Sequence, residues 1–149
     1  MPTSLCQIAV HIIFGTKRHR PFLTDEIHPY IHGIITNLKG VPIRINGTDN
    51  HIHILTFLPK DLSVADFVKT IKANSSKWFK SIKPHMEWQT GYAAWGVSKT
   101  NIPIVDAYIR NQKEHHRELS FAEEMAKYLK EFGAEDVYRE WFEETDKEQ

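Results

Sequence analysis

Two histidines separated by one isoleucine, His51-Ile52-His53, lie in the run Asn50-His51-Ile52-His53-Ile54-Leu55-Thr56-Phe57, with Tyr108 and Gln112 well downstream. The run is apolar and rich in β-branched residues, so it reads as a strand. Alternate strand residues share a face, which sets the two imidazoles side by side. Asp106-Ala107-Tyr108-Ile109-Arg110-Asn111-Gln112 reads as helix, and a spacing of four places Tyr108 and Gln112 on one helical face. Two imidazoles, an amide oxygen and a phenol can therefore converge. Such a group suits a tyrosine attacking a phosphodiester held by a divalent cation. Either feature alone also serves as plain packing, so the surrounding elements must carry the reading.

Leu5 to Phe14 is an apolar run of strand length, with Val10, Ile12 and Phe14 on one face and His11 on the other. The basic segment Thr16-Lys17-Arg18-His19-Arg20-Pro21 follows. Lys17, Arg18 and Arg20 can grip phosphates through charge-assisted bonds, or line an ordinary exposed loop. Thr24-Asp25-Glu26 offers a capping context for a helix through Leu38, closed by Gly40. Val41 to Ile45 is a second strand and Asn46-Gly47 a tight-turn signal before the strand of the histidines.

Pro59 ends that strand, and Leu62 to Ser81 reads as a longer helix. Val64, Phe67, Val68, Ile71, Ser75, Trp78 and Phe79 follow the rhythm of a core stripe, whereas Lys69, Lys72 and Lys80 fall on a solvent stripe of one sign. That stripe is a wet face or a nucleic-acid contact. Trp88 to Val97 reads as an aromatic strand with a glycine bend, its rings serving the core or stacking on bases. Asn101 and Pro103 open a helix expected to run to about Arg117. Ser120 and Glu123 form a capping-box pattern for another helix, which ends near Gly133. The acidic remainder reads as a short helix or tail.

The order strand, helix, strand, strand, helix, strand, then helices predicts an α+β fold of the ferredoxin-like (RRM-like) kind. An antiparallel sheet carries helices on one face, and extra C-terminal helices carry the tyrosine. A chain of 149 residues is long enough for one real core. Its formal charge is zero, yet residues 1–117 hold 15 Lys/Arg against 8 Asp/Glu, and residues 118–149 hold 4 against 11. A basic body with an acidic end is compatible with a nucleic-acid partner. The single cysteine, Cys6, excludes an internal disulfide framework, and no apolar run approaches the ~20 residues of a membrane span. A cytoplasmic protein is expected.

From about residue 5 to residue 132 the chain resembles the small single-tyrosine transposases of insertion sequences, within the His-hydrophobic-His nucleases. The resemblance rests on Thr16-Lys17-Arg18, His51-Ile52-His53-Ile54-Leu55, Ser75-Ser76-Lys77-Trp78 and Trp88-Gln89-Thr90-Gly91-Tyr92. It continues in Val97-Ser98 and Tyr108-Ile109-Arg110-Asn111-Gln112-Lys113-Glu114-His115-His116. It implies that His51, His53 and Gln112 are metal ligands and Tyr108 the nucleophile. Three neutral ligands would leave the charge of Mg2+ or Mn2+ intact to polarise the scissile phosphate. It further implies hairpin-bearing single-stranded DNA as substrate, a 5′-phosphotyrosine intermediate, and a homodimer with composite sites. Asn50 departs from the aspartate that many members carry there. On this reading residues 1–132 are the transposase domain and 133–149 an acidic tail. The competing readings are a domesticated single-strand binder of the same fold and a ferredoxin-like endoribonuclease with acid–base histidines.

Overall fold

The computed structural model describes residues 3–144. The chain divides into two compact units, Met1–Gln112 and Lys113–Gln149, so the boundary expected after residue 132 falls inside the second unit. In the first unit, β1 (Ala9–Gly15), β2 (Val41–Gly47), β3 (His51–Phe57) and β4 (Ala93–Val97) form an antiparallel sheet ordered β2-β3-β1-β4. Helix α1 (Ile27–Asn37) links β1 to β2, and α2 (Val64–Phe79) precedes β4. This is the ferredoxin-like α+β arrangement.

Two periodicities build its core. Val10, Ile12 and Phe14 of β1 and Ile52 and Ile54 of β3 point to one side of the sheet. They bury against the helical stripes Ile27, Ile31, Ile34, Ile35 and Phe67, Val68, Ile71, Phe79. The opposite parity presents His11 and Ile13 of β1 and His51, His53 and Leu55 of β3 on the other face. The register sets Ile13 beside His53 and His11 beside Leu55. Helix α3 (Ile102–Arg110) is tied to β2, where Arg44 Nε donates to Asp106 Oδ1 at 2.6 Å.

Several boundaries differ from expectation for physical reasons. At α1 the N-cap position falls to Glu26, whose side chain makes no capping bond, and Ile27 N donates to the Thr24 carbonyl at 3.2 Å in the turn before it. Asn46 and Gly47 belong to β2, and the reversal is made by Thr48 to Asn50. Trp88 to Tyr92 does not pair as a regular strand, because Gly91 has φ 90° and turns the chain before β4; Trp88 makes only an isolated bridge with Thr16. The helix expected from Asn101 to Arg117 stops at Arg110 and resumes as a single turn, α4 (Gln112–His115).

The second unit contains α5 (Phe121–Glu131) and α6 (Glu135–Arg139), followed by a π-type turn over Glu140–Glu144. The expected capping box is present, with Glu123 N donating to Ser120 Oγ at 3.1 Å and Ser120 N donating to Glu123 Oε1 at 3.3 Å. Gly133, at φ 67°, ends α5 where a left-handed residue is needed. Phe142 packs edge-on to Phe121 with ring centroids 5.4 Å apart. His116 is engaged by Glu124, Nε2 to Oε1 at 3.2 Å. The last part of the acidic segment, residues 145–149, lies outside the described residues.

Candidate functional site

Strand alternation puts His51 and His53 on one face of β3, their ring centroids 5.2 Å apart at an interplanar angle of 70°. His51 is oriented at its Nδ1, which lies 2.9 Å from Thr48 Oγ1 and 3.0 Å from Asn50 Oδ1. Thr48 Oγ1 itself donates to Asn50 Oδ1 at 3.1 Å. A His51 proton on Nδ1, shared with these oxygens, would leave Nε2 with a lone pair for a cation. Asn50 supplies the accepting oxygen that an aspartate would supply, without the charge.

His51 Nε2 faces Gln112, whose Oε1 lies 3.2 Å away and accepts from it when the ring proton sits on Nε2. Donors about 2.1 Å from a shared cation at tetrahedral or octahedral angles lie roughly 3.0–3.4 Å apart. Nitrogen and oxygen are therefore already at ligand spacing, and the neutral donor set suits a divalent ion. Gln112 arrives by a different route from the continuous helix expected. Asn111 interrupts the helix, yet Asn111 N still donates to the Ala107 carbonyl at 3.2 Å and preserves the turn.

Tyr108 projects from α3 toward the same pair, its ring centroid 5.9 Å from that of His53. His51, His53 and Gln112 are fully buried, whereas Tyr108 is half-buried. The end of α3 is fixed by Asn46, whose Nδ2 donates to the carbonyls of Ile109 at 3.0 Å and Arg110 at 3.2 Å. Sequence reasoning assigned Asn46 to a turn and missed this role. It also left His11 without a function, although His11 Nε2 is 2.8 Å from His53 Nδ1. Strand parity gave the signal, since it put His11 opposite the core face; the register that brings it to His53 is not written in any local motif.

The basic residues separate into two kinds. Lys17, Arg18 and Arg20 line a cleft of about 150 Å3 together with Phe22, His85 and Glu87. Arg18 and His19 both take positive φ (58° and 53°), a conformation uncommon outside glycine, and Thr16 Oγ1 ties the loop shut by donating to the Arg20 carbonyl at 2.7 Å. Lys69 is exposed on α2, and Lys80 is exposed at its C-cap. Lys72 departs from the expected solvent stripe. Its Nζ donates to the Gln89 carbonyl at 2.9 Å and to that of Gly91, and lies 5.1 Å from the centre of the Phe14 ring. Burial lowers its pKa from 10.5 to about 8.

The same wall explains the Ser75 and Trp88-Gln89 segments as architecture. Trp88 Nε1 donates to Ser75 Oγ at 3.0 Å, and its ring meets Phe14 edge-on at 4.8 Å between centroids. Gln89 Oε1 accepts from Gly15 N at 2.6 Å while Gln89 N donates to the Gly15 carbonyl at 2.9 Å. Gly15 pairs with His51 across the sheet, so these contacts brace the strand end next to the first histidine.

A family model described as "Transposase IS200 like" matches residues 4–112. The chain belongs to this family. The matched stretch closes on Gln112 and takes in both histidines and the tyrosine. Two of the solved structures that match share this chain's fold. A protein from Deinococcus radiodurans R1 put forward as a transposase is 22% identical, covers 75% of this chain and 95% of its own, and superposes with a TM-score of 0.60. A REP-associated tyrosine transposase, solved bound to a REP hairpin, is 14% identical, with 78% and 72% coverage and a TM-score of 0.56. No curated protein sequence matches. No described helix is long and apolar enough to cross a membrane.

Proposed function

We propose that this IS200-like transposase cleaves and rejoins single-stranded DNA at hairpin-marked ends, with Tyr108 as nucleophile and His51, His53 and Gln112 holding Mg2+ or Mn2+. The observation that carries the reading is convergence: a half-buried phenol 5.9 Å from the His53 ring, beside a His51–Gln112 donor pair 3.2 Å apart. A divalent cation held by His51, His53 and Gln112 would supply Lewis acidity at the phosphate oxygens and make phosphorus more electrophilic. His51, His53 and Gln112 hold the reacting phosphate's counter-charge in place, and Asn46 holds the end of the helix that presents Tyr108.

In the proposed step a bond forms from Tyr108 Oη to phosphorus as the bond from phosphorus to the 3′ oxygen breaks. The phenol loses its proton and the departing 3′ oxygen gains one. A phenol of ordinary acidity (pKa ~10) keeps its proton at neutral pH, so the site must assist its removal. The products are a 5′-phosphotyrosine and a 3′-hydroxyl. One phosphodiester is exchanged for another, and attack by a different 3′-hydroxyl rejoins the strand without ATP. Two element ends need two tyrosines, and one candidate nucleophile per chain makes a homodimer part of the proposal. The hairpin in the complex of the REP-associated structure supports hairpin DNA as the ligand class. Lys17, Arg18, Arg20, Lys69 and Lys80 are assigned to its phosphates.

The test is incubation with hairpin-bearing single-stranded DNA and Mg2+ or Mn2+, followed by denaturing electrophoresis. A covalent protein–DNA adduct that disappears in Tyr108→Phe is expected. Hairpin binding with no adduct would instead identify a strand binder of the same fold, and metal-independent RNA cleavage surviving Tyr108→Phe an endoribonuclease.

A further inference from the structure

We infer that His11 is a positioning residue for the candidate metal site: it accepts the Nδ1 proton of His53 and so fixes His53 with its Nε2 lone pair available to a cation. The inference rests on the reading of His53 as a ligand given above. Its independent basis is the 2.8 Å contact between His11 Nε2 and His53 Nδ1, made between two residues that are almost wholly buried. A contact that short between ring nitrogens holds one proton, donated by one ring and accepted by the other. Only two arrangements exist for neutral rings. In one, His53 carries its proton on Nδ1 and donates it; in the other, His11 donates and the His53 proton sits on Nε2.

The second arrangement leaves His53 unable to ligate at Nε2. The first leaves a lone pair there. The two nitrogens point to opposite sides of an imidazole, and β1, which carries His11, lies to one side of β3. Pinning Nδ1 toward β1 therefore turns Nε2 away from it, toward the side where β2 holds α3. His11 is itself held between neighbours, its ring centroid 5.1 Å from that of His53 and 6.0 Å from that of Trp95. The Thr48–Asn50 pair does for His51 what His11 does for His53: each ligand nitrogen is aimed by fixing the other nitrogen of the same ring.

The experiment uses two variants and two readouts on the full chain. His11→Phe removes the acceptor; His11→Gln places an amide oxygen where Nε2 stood. Mn2+ affinity, measured by calorimetry or electron paramagnetic resonance, is expected to fall about 10–100-fold in His11→Phe and to recover to within a few-fold in His11→Gln. Nitrogen-15 spectra of the metal-free wild type are expected to show His53 protonated at Nδ1. Equal Mn2+ affinity in a folded His11→Phe protein, or a His53 protonated at Nε2, overturns the inference. Should His11→Phe fail to fold, the Gln variant and the wild-type spectrum still decide. Wild-type Mn2+ binding that His51→Ala leaves unchanged would instead sink the ligand assignment itself, so the two failures are distinguishable.

Discussion

Asn46, on β2, holds the carbonyl of Ile109 at the end of α3 through its side-chain amide at 3.0 Å, and reaches the Arg110 carbonyl as well. The last carbonyls of a helix have no partner within the helix, and here a neighbouring strand supplies one. The same strand register puts Asn46 beside His53, so one residue couples the helix bearing Tyr108 to the strand bearing the histidines. Asn46→Ala is expected to cost about 1–2 kcal/mol from two neutral hydrogen bonds. Asn46→Asp should cost more, because it turns a carboxylate toward two carbonyl oxygens and the negative end of the helix. Urea unfolding of the two variants gives the ranking; an aspartate variant as stable as wild type would remove Asn46 from this role.

At Gly47 the approach of neighbouring backbone leaves no room for a side chain. A Cβ there would stand 2.2 Å from the His51 carbonyl oxygen and 2.9 Å from Ile52 Cα. Backbone atoms cannot swing aside as a side chain can. Gly47→Ala is therefore expected to destabilise by about 1–3 kcal/mol and to displace His51. Cleavage should fall further than stability does, a split that denaturation and adduct assays on the same preparation would show.

The legible parts of this protein are those with short-range causes. Alternation in Val10, Ile12 and Phe14 and the three-and-four spacing in α2 report which face is buried, because burial repeats with the element's own period. His51 and His53 share a face for the same reason. What the sequence hides depends on tertiary register. Lys72 has the spacing of a solvent residue, yet the carbonyls of Gln89 and Gly91 and the Phe14 ring draw it inward. Asn46-Gly47 has the composition of a turn, but β2 continues through it and the chain reverses over Thr48 to Asn50. His11 acquires meaning only when β1 is laid beside β3.

Lys72 gives a pH dependence with a definite sign. Burial lowers its pKa from 10.5 to about 8, so between these values the unfolded chain holds a proton that the folded chain has released. Stability contributed by this group therefore rises with pH from about 8 to 10.5 and is lowest below that window. Deprotonation costs no hydrogen bond, since a neutral amine keeps two N–H donors for the two carbonyls it meets. Lys72→Met should flatten that rise. Urea titrations of wild type and variant at several pH values across the window would show it; identical slopes would mean that the ammonium is held as well by its carbonyls as by water.

Gln89 is predicted to matter through its shape rather than its chemistry at the site. Its Oε1 accepts from Gly15 N at 2.6 Å, and a buried N–H left without an acceptor costs about 1–3 kcal/mol. Gln89→Leu should lose that amount, whereas Gln89→Glu keeps an oxygen at the same place and should lose less. Hydrogen exchange at the Gly15 amide reads the contact directly, and fast exchange confined to the leucine variant is the expected result.

The loop that carries Lys17, Arg18 and Arg20 separates binding from cutting. Each phosphate neutralised on a single strand contributes about −0.7 to the slope of log affinity against log salt. If all three side chains touch phosphate, replacing them together with alanine should make the slope shallower by about 2, with weaker binding at every salt concentration. Lys72→Met should leave the slope unchanged, since its ammonium is already engaged with backbone carbonyls. His51→Ala should leave it unchanged too, while abolishing the adduct, because His51 is buried with its Nε2 turned to Gln112. Fluorescence anisotropy with a labelled hairpin strand, run over a salt series, measures all three slopes. A triple variant with the wild-type slope would move the DNA track off this cleft and onto the exposed lysines of α2.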